Sequence, residues 1–455
     1  MQEPGGLSRF LGKYPHFQFD LLEHIEASAV IAEARSAFES LAAGVAHGRP
    51  SENPWRSRQV EIRKVAQARS AYAGIEWSRE DYEATIPVVD KSVLRTRPEA
   101  FLEHGAAIDR FWTRPTSGTS GPPVTVFYDT RAFAEFQYFS ACTALSYSGL
   151  LKAAIDGRPV FALAVVDNSY LQDRIWLDPS GLTGATLRVV FDTGSLDSAE
   201  KLRDQIATHQ PAVVSLKPNI LDILLRQLAP RAAVLSDNVV AVISGGAELP
   251  EPLRVAAQQR LGVPIINAYG MTEVGGIASS CGIGAALHIH EGAVICEVLE
   301  EDGSLRWTGQ GELVVSSIAN CAMPILRYRT GDFGEITDSP CPCGRAGRRI
   351  SHLAGRRSPS FRLQGGGYFA PTNLNQLFRM FPIREIQVTQ VALTDVQIKV
   401  ELLTPANTDV LDDVRMAAQR IVGDRLKVEI VPCEFQAGQK FQRYRTFLDE
   451  GISLA

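Results

Sequence analysis

From about residue 158 onward, short apolar runs alternate along the chain with amphipathic segments. The apolar runs have the length and composition of buried strands: Pro159–Val166, Ala212–Leu216, Val239–Ser244 and Val263–Ile266. The segments between them have helical spacing: Ser198–His209, with Leu202 and Ile206 on its inner face, and Ile220–Leu228. This alternation predicts an α/β fold, with a large N-terminal body of packed β-sheets and helices around buried parallel strands.

The last hundred residues have a different pattern. Apolar residues alternate strictly with polar ones over Val396–Leu402, which predicts a strand with one solvated face. One apolar stripe runs along Asp409–Ile421 and predicts a helix, and Lys427–Val431 predicts another strand. The pattern of the last hundred residues therefore predicts a small, mobile α+β domain at the C-terminus.

These patterns predict two domains. The Gly- and Arg-rich stretch Gly355–Pro359 has the composition of a hinge, so we expect a large domain over residues 1–354 and a small one over residues 355–455. Within the large domain, the roughly helical spacing of Leu21–Leu41 predicts that residues 1–80 form a helical extension.

Composition and charge exclude several classes of protein. The chain has 455 residues, 45% hydrophobic and 21% charged, as in ordinary globular proteins. Its net charge of −5 argues against a nucleic-acid partner. No apolar run approaches the roughly 20 residues that cross a bilayer, so we expect no membrane association. The first residues do not resemble a secretory leader and the cysteine count of seven is odd, so we expect a cytoplasmic protein without a disulfide framework.

A hydroxyl- and glycine-rich stretch lies between two strand-like segments, residues 111–113 and 124–128. It comprises Thr116, Ser117, Gly118, Thr119, Ser120 and Gly121. Its flanks predict that it is the turn of a hairpin. Glycines let backbone N–H groups surround an anion and hydroxyls add neutral donors, so the turn suits phosphate oxygens. It is not a G-x-x-x-x-G-K-[ST] loop, and a flexible loop without a ligand is the alternative interpretation.

Further segments follow this turn in a fixed order: Ser244–Glu248 and Asn267–Glu273, each after an apolar strand, Arg327–Asp332, with a carboxylate on a tight turn, and Gly438–Lys440 near the C-terminus. As an ordered set, they resemble the adenylate-forming superfamily of acyl-CoA ligases, adenylation domains and luciferases. Within it, the chain is most similar to the phenylacetate–CoA ligase branch. The resemblance extends from about residue 85 to the end.

The resemblance implies that the chain binds ATP. The Thr116–Gly121 turn would hold the β- and γ-phosphates. The other residues implied to contact the nucleotide are Gly246, Ala247, Tyr269 at the adenine, Gly270, Asp332 at the ribose hydroxyls, and Arg356. The residues implied to act in catalysis are Thr272 at the phosphate, Glu273 as the Mg²⁺ ligand, and Lys440, which would reach the acyl phosphate oxygens from the small domain.

Physical chemistry agrees with these implied roles. An acid that attacks the α-phosphorus of ATP brings negative groups together, so catalysis needs positioning and charge neutralisation. Lys440 suits this need as a point charge on a flexible stem. The alternatives are a solvated lysine at position 440 and, for Asp332, a plain turn former.

The cysteines give an independent indication. Cys341 and Cys343 form a C-x-C-G knuckle, and Cys281 and His288 lie some sixty residues earlier. Three thiolates and an imidazole satisfy tetrahedral Zn²⁺ with no open position, which indicates a structural metal. His290 is an alternative to His288, and reduced cysteines packed in the core are the alternative to a metal. The other four cysteines, Cys142, Cys296, Cys321 and Cys433, are interpreted as buried thiols.

The sequence gives less information about the acid substrate. The resemblance implies an acyl pocket with Tyr138, Phe139, Gly245 and Ala268 as candidate walls, and this mixture of aromatic and small residues favours a flat ring. Lys217 follows a predicted buried strand and could pair with a polar substituent or a carboxylate of the substrate. Its alternative is a lysine that extends into solvent.

Two departures from the family pattern bear on the reaction. Pro122-Pro123 replaces the usual lysine after the phosphate turn, and Arg357-Ser358-Pro359 replaces the usual pivot carboxylate after Gly355-Arg356. We therefore expect ATP-dependent activation of a carboxylic acid, with aromatic acids favoured, followed by thioester formation with CoA. Acyl transfer to an amine, a hydroxyl or a carrier-protein thiol is the first alternative, and a catalytically silent nucleotide-binding scaffold is the second. The sequence is compatible with a homodimer and does not decide the oligomeric state.

Overall fold

The computed structural model describes most of the chain between residues 53 and 435. The longer described stretches are 53–116, 124–136, 140–155, 159–166, 182–192, 197–228, 237–356, 371–402 and 410–435. The shorter pieces are 18–19, 35–36, 38–39, 173–177, 195, 235, 361–364, 368–369 and 444–446. Two compact units divide the chain: the first comprises residues 1–90, 99–112 and 127–355, and the second comprises residues 91–98, 113–126 and 356–455.

The described strands fall into one large sheet and three small ones. In chain order they are β1 (Gln18–Phe19), β2 (Trp112–Pro115), β3 (Thr125–Tyr128), β4 (Val160–Val166), β5 (Arg174–Leu177), β6 (Ala185–Val190), β7 (Val213–Leu216), β8 (Ala241–Gly245), β9 (Ile265–Met271), β10 (Gly275–Ser280), β11 (Leu287–Ile289), β12 (Val294–Leu299), β13 (Leu305–Arg306), β14 (Gly309–Ser317), β15 (Ile325–Thr337), β16 (Arg349–Arg356), β17 (Phe361–Arg362), β18 (Tyr368–Phe369), β19 (Ile383–Ala392), β20 (Asp395–Leu402), β21 (Lys427–Pro432) and β22 (Tyr444–Thr446).

The described helices are mostly short. The α-helices are α1 (Pro54–Ser57), α2 (Gln59–Ala66), α3 (Lys91–Thr96), α4 (Thr130–Ala134), α5 (Ser140–Ser148), α6 (Leu151–Ile155), α7 (Ser198–His209), α8 (Pro218–Gln227), α9 (Glu251–Leu261), α10 (Leu377–Met380) and α11 (Val410–Val422). The 3₁₀ turns are Ser70–Tyr72, Tyr82–Thr85, Pro98–Phe101, Ile108–Arg110, Pro371–Gln376 and Gly423–Arg425. No described helix has the length and apolar character needed to cross a bilayer.

A 14-stranded sheet organises the first unit, in the order β1-β5-β6-β4-β7-β8-β9-β10-β11-β16-β15-β14-β12-β13. Strands β6, β4, β7, β8 and β9 are parallel neighbours, and α7, α8 and α9 carry the chain back from β6 to β7, from β7 to β8 and from β8 to β9. From β9 onward the pairing with β10, β11 and β16 is antiparallel. The predicted α/β architecture is therefore confirmed.

The parallel strands are buried on both faces. One face packs against α7 and α8, with Leu202, Ile206 and Ile220 in its core. The other face packs against α5, with Cys142 and Leu145 in its core. This two-sided burial explains why the strands are continuous apolar runs in the sequence. The predicted helix Ser198–His209 has its predicted bounds, and the predicted strands at β4, β7 and β8 are confirmed within two residues at either end.

Two local predictions were wrong. The apolar run that ends at Ile266 continues as β9 through Met271, because residues 268–271 pair with β10 as a hairpin. Asp332 does not lie on a tight turn, since it belongs to the 13-residue strand β15, which is locally bulged. Among the cysteines, Cys142 and Cys296 are buried as expected, whereas Cys321 and Cys433 are only half-buried.

The second unit contains a four-stranded sheet in the order β21-β20-β19-β22. β20 pairs with β19 antiparallel and with β21 parallel. The predicted alternation is confirmed, because Val396, Ile398 and Val400 are buried in a core shared with α11. The helix predicted over Asp409–Ile421 is observed as Val410–Val422.

Candidate active site

The β9–β10 hairpin carries several predicted site residues in the first unit. The hydroxyl of Tyr269, in β9, donates a hydrogen bond to Oδ2 of Asp332, in β15, across 2.8 Å. Burial raises the pKa of Tyr269 well above its ordinary value, and the negative charge of Asp332 raises it further. The tyrosine therefore stays protonated at neutral pH and acts as the donor to a buried carboxylate.

A second pair lies at the tip of the same hairpin. Glu273 is 5% exposed, and its Oε1 accepts a hydrogen bond of 3.1 Å from the hydroxyl of Tyr328 in β15. The hydroxyl of Tyr128, at the end of β3, donates to the backbone carbonyl of Thr272. The predicted residues Tyr269, Thr272, Glu273 and Asp332 are thus joined through tyrosine hydroxyls into one region of the first unit.

A bulge in β15 brings this strand to the hairpin. The register in which β15 pairs with β14 shifts between Glu312 and Val314. Gly331 has φ of +75°, a left-handed conformation that glycine adopts without strain. Its N–H and the guanidinium of Arg329 both donate to the buried Glu312 carboxylate, which fixes the bulge. Tyr328, Thr330 and Asp332 are all buried, as alternation along one face requires.

The predicted acyl-pocket residues Gly245 and Ala268 are direct cross-strand partners in β8 and β9. A Cβ at Gly245 would lie 2.4 Å from the Ala268 carbonyl oxygen, so only glycine permits this approach. Gly246 and Ala247 follow in an exposed turn, where Gly246 has φ of +77°. Lys217 is exposed at the start of α8. Tyr138 and Phe139 lie outside the described residues.

The structure describes only the edge of the predicted phosphate turn. Thr116 is buried, its N–H donates to the Val124 carbonyl, and its hydroxyl accepts from the Val124 N–H. These two bonds close the hairpin predicted from the sequence. Residues Ser117, Gly118, Thr119, Ser120 and Gly121 lie outside the described part, as does Lys440. Arg356 ends β16, and only its backbone is described.

The four predicted zinc ligands converge in the first unit. One ligand atom from each of Cys281, His288, Cys341 and Cys343 lies within 4.8 Å of all the others. Sγ of Cys281 is 3.9 Å from Sγ of Cys341, and Sγ of Cys343 is 3.3 Å from Nε2 of His288. A tetrahedral zinc with Zn–S bonds of about 2.3 Å spaces its sulfur ligands about 3.8 Å apart. The donor set and its spacing therefore fit this metal.

Electrostatics support His288 as a ligand. Burial, with help from Arg349 and Arg345, lowers the pKa of His288 to about 4, so its imidazole is neutral at pH 7 and keeps a lone pair for a cation. The alternative ligand, His290, is not in the cluster. Its Nε2 lies 3.0 Å from the Ser279 hydroxyl, and its ring stacks on Tyr147 with centroids 4.5 Å apart.

The sequence analysis missed two residues of this region, Tyr328 and Tyr128. The sequence did contain a signal for Tyr328, because residues 328, 330 and 332 share one face of any strand through this segment. Tyr128 carried none, since its partner is a backbone carbonyl 144 residues away in the chain.

Comparison with known proteins identifies the family of the chain. The family of AMP-binding enzymes matches residues 20–320. Phenylacetate-coenzyme A ligase of Thermus thermophilus is 26% identical over 308 residues, which cover 64% of this chain and 65% of that protein. The Escherichia coli phenylacetate-coenzyme A ligase is 27% identical over 51% of this chain and 57% of that protein. The chain thus spans somewhat less than two thirds of the length of these relatives.

Solved structures share the fold. A 2-hydroxyisobutyryl-CoA ligase in complex with 2-HIB-AMP and CoA in the thioesterification state matches with a TM-score of 0.53 and 18% identity, over 91% of this chain and 90% of that one. The open conformation of that ligase matches with a TM-score of 0.51 and 18% identity, over 85% and 90%. Because the family match extends over residues 20–320, more than half of the chain, the chain belongs to the AMP-binding enzyme family.

Proposed function

We propose that this protein activates a carboxylic acid with ATP, forming an acyl-adenylate and pyrophosphate, and then transfers the acyl group to CoA. The observation that carries the proposal is the pairing of Tyr269 with Asp332 and of Glu273 with Tyr328 in a chain of the AMP-binding enzyme family. These pairs hold two buried carboxylates in fixed positions, as a nucleotide site requires.

Each group has a part in the first half-reaction. The substrate carboxylate attacks the α-phosphorus of ATP, and pyrophosphate leaves. Asp332, oriented by Tyr269, accepts hydrogen bonds from the ribose hydroxyls. Thr272 and the Thr116–Gly121 turn donate to phosphate oxygens, and Lys440 neutralises charge where the acyl phosphate forms. In the second half-reaction the CoA thiolate attacks the acyl carbonyl and AMP leaves.

Glu273 fits a role as the Mg²⁺ ligand, because carboxylate oxygens are preferred by this ion. Its buried carboxylate has an oxygen held by Tyr328, which restricts its orientation. When bound, Mg²⁺ would supply positive charge beside the phosphate oxygens.

The cysteine cluster is proposed to hold a structural Zn²⁺. Cys281, His288, Cys341 and Cys343 supply four ligands from separate segments, and four protein ligands leave no position for a reacting group. The ion would join β11 and the loop before it to the turn before β16. The seven cysteines all lie in the described part of the chain and form no disulfide there, in keeping with a reducing compartment, and we propose a cytoplasmic location.

We propose an aromatic acid as the substrate. The sequence relatives named as phenylacetate-coenzyme A ligases support this class. The pairing of Gly245 with Ala268 leaves little side-chain bulk on this part of the sheet, which suits a flat ring. Tyr138, Phe139 and Lys217 remain candidate walls of the same pocket.

The choice of acyl acceptor is the least constrained part of the proposal. Arg357-Ser358-Pro359 follows Gly355-Arg356, and proline restricts its own φ and the residue before it. Such a restriction would limit the rotation that exchanges adenylation for thioester formation in the family, so an amine, a hydroxyl or a carrier-protein thiol is the alternative acceptor. A self-associated homodimer is compatible with either acceptor.

Pyrophosphate release over a panel of aryl and aliphatic acids tests the proposal. We expect acid-dependent release in the presence of ATP and Mg²⁺, and a thioester when CoA is added. Pyrophosphate release followed by acyl transfer only to amines, hydroxyls or a carrier protein would show that CoA is not the acceptor. Binding of ATP without any pyrophosphate release would favour a silent nucleotide-binding scaffold.

Lys440→Ala provides the internal control for catalysis. We expect it to slow pyrophosphate release at least about 100-fold, while the dissociation constant of ATP changes far less, because the charge acts chiefly in the transition state. Full-speed adenylation by this variant would contradict the proposed role.

A further inference from the structure

One row of residues crosses the sheet beyond the proposed acyl pocket. Gly245 in β8 pairs with Ala268 in β9, Ala268 pairs with Ser279 in β10, and Ser279 pairs with His288 in β11. Cross-strand partners point to the same face of a sheet. Ser279 is therefore the next side chain along the surface on which the proposed pocket is built.

The residues around Ser279 form a polar cluster against α5. Its hydroxyl lies 3.0 Å from Nε2 of His290, and the ring of His290 stacks on Tyr147 at the end of α5. The same helix supplies Leu145 to the core on which Ala268 packs. Ser279 is fully buried and His290 is 4% exposed, so this hydrogen bond lies in a low-dielectric environment.

Hydrogen-bonding capacity remains at this cluster. A serine hydroxyl has one donor and two acceptor sites, and the bond to His290 uses one of them. Nδ1 of His290 faces the backbone of Gly276 but makes no hydrogen bond of ordinary geometry within the described part of the chain. Ser279 thus keeps hydrogen-bonding capacity, and Nδ1 of His290 lies near it, in the row that begins with the small residues Gly245 and Ala268.

A glycine opens the cluster to one side. Gly276 is exposed, and a Cβ placed on it would lie 3.4 Å from Nδ1 of His290. Gly276 pairs with Gly270 across the hairpin, so neither strand places a side chain there. A group that passes over these glycines meets the edge of the imidazole.

We infer that Ser279 and His290 form the far wall of the acid pocket and select an aromatic acid with a hydrogen-bonding ring substituent, such as a hydroxyl. The inference rests on the proposed function and narrows its substrate class. A site built to hydrogen-bond a hydroxyl discriminates strongly against an analogue that lacks it, because the protein groups are then left unpaired in a buried setting.

Matched acids test this inference. The probes are phenylacetic and benzoic acids with a hydroxyl at each ring position, each compared with the methyl and fluoro isosteres. We expect the kcat/KM for pyrophosphate release to favour one hydroxyl acid over its isosteres by about tenfold or more. Ser279→Ala and Gly276→Ala should each bring that ratio close to one, the second because its methyl group covers Nδ1.

Ser280→Ala is the matched control. Ser280 is the next residue of β10, is equally buried, and its hydroxyl accepts the Asn267 N–H instead. We expect this variant to keep the preference of the wild type. Circular dichroism and ATP binding confirm that each variant is folded.

The outcomes separate the inference from the proposed function. Activation of unsubstituted or isosteric acids as readily as of every hydroxyl acid would overturn the inference and leave the ligase proposal intact. A preference that survives in both Ser279→Ala and Gly276→Ala would also overturn it. Failure to release pyrophosphate with any acid would overturn the proposed function and the inference with it.

Discussion

The Tyr269 hydroxyl and the Asp332 carboxylate lie 2.8 Å apart, although 63 positions separate the two residues in the chain. β9 carries the tyrosine and the bulged strand β15 carries the aspartate. Because the bond is partly buried and the acceptor is charged, it fixes the direction in which the carboxylate can accept further hydrogen bonds.

Removal of the Tyr269 hydroxyl should therefore weaken ATP binding. We expect Tyr269→Phe to raise the KM for ATP about 10- to 150-fold, since a hydrogen bond to a charged group contributes about 1.5–3 kcal/mol. Steady-state pyrophosphate release measures this value. Tyr82→Phe is the control, because the Tyr82 hydroxyl donates to the Trp55 carbonyl at 2.7 Å in another part of the unit. An equal rise of KM in both variants would contradict the assignment.

The bond between Tyr328 and Glu273 should tune the response to Mg²⁺. Tyr328→Phe removes a donor to the carboxylate that we propose as the metal ligand. Residues that orient a metal ligand typically affect metal affinity about tenfold or more. We expect the Mg²⁺ concentration for half-maximal pyrophosphate release to rise by about that factor. If Tyr328→Phe changes only thermal stability and not this concentration, Glu273 does not bind the ion.

The cysteine cluster predicts a measurable metal content. Elemental analysis should find one zinc per chain, and Cys341→Ser should remove it and lower the Tm by about 5–10 °C, because the ion joins separate segments. Cys433→Ser is the control, since Cys433 is half-buried and outside the cluster. If the wild-type protein contains no zinc and Cys341→Ser leaves its Tm unchanged, the thiols are ordinary core residues.

Glu135 predicts a pH-dependent contribution to stability. Burial raises its pKa to about 7 from 4.5, and the nearby Arg131 opposes the shift only in part. Between these values the folded state keeps a proton that the unfolded chain releases, so the contribution is present below pH 4.5 and is lost as the pH rises to about 7.

Glu135→Gln cannot lose that proton. We expect the free energy of unfolding of this variant, relative to wild type, to increase by about 1–3 kcal/mol from pH 4.5 to pH 8, as a shift of this size implies. Denaturant titrations across this range measure the difference. A difference that is independent of pH would show that Glu135 titrates normally.

Gly245 predicts a steric requirement in the proposed acyl pocket. A methyl group at this position would overlap the Ala268 carbonyl, so Gly245→Ala should cost about 1–3 kcal/mol of stability and reduce the rate of acid activation. Gly284→Ala is the control, because a Cβ there meets nothing within 4 Å. Thermal unfolding and pyrophosphate release should be unaffected in the control.

Much of the fold could be predicted because local patterns agreed with the tertiary environment. Val396, Ile398 and Val400 alternate in the sequence and are buried in β20, since one face of that strand covers a helix. The β9 boundary could not be predicted, because Tyr269-Gly270-Met271 lacks a strand pattern and extends only through its pairing with β10. Asp332 was placed on a turn because glycine precedes it, whereas pairing with β14 converts the same residues into a bulge.

The sequence by itself determined the alternation of strands and helices, the order of the segments that we propose to bind the nucleotide, and the five metal-ligand candidates, with His288 and His290 as alternatives. These features depend on residue type and spacing, which the chain carries locally. Only the tertiary structure decided that His288 and not His290 joins the cysteines, that Tyr328 holds Glu273, and that Ser279 continues the row from Ala268. Register between distant strands fixes these relationships, and register depends on the packing of the whole sheet.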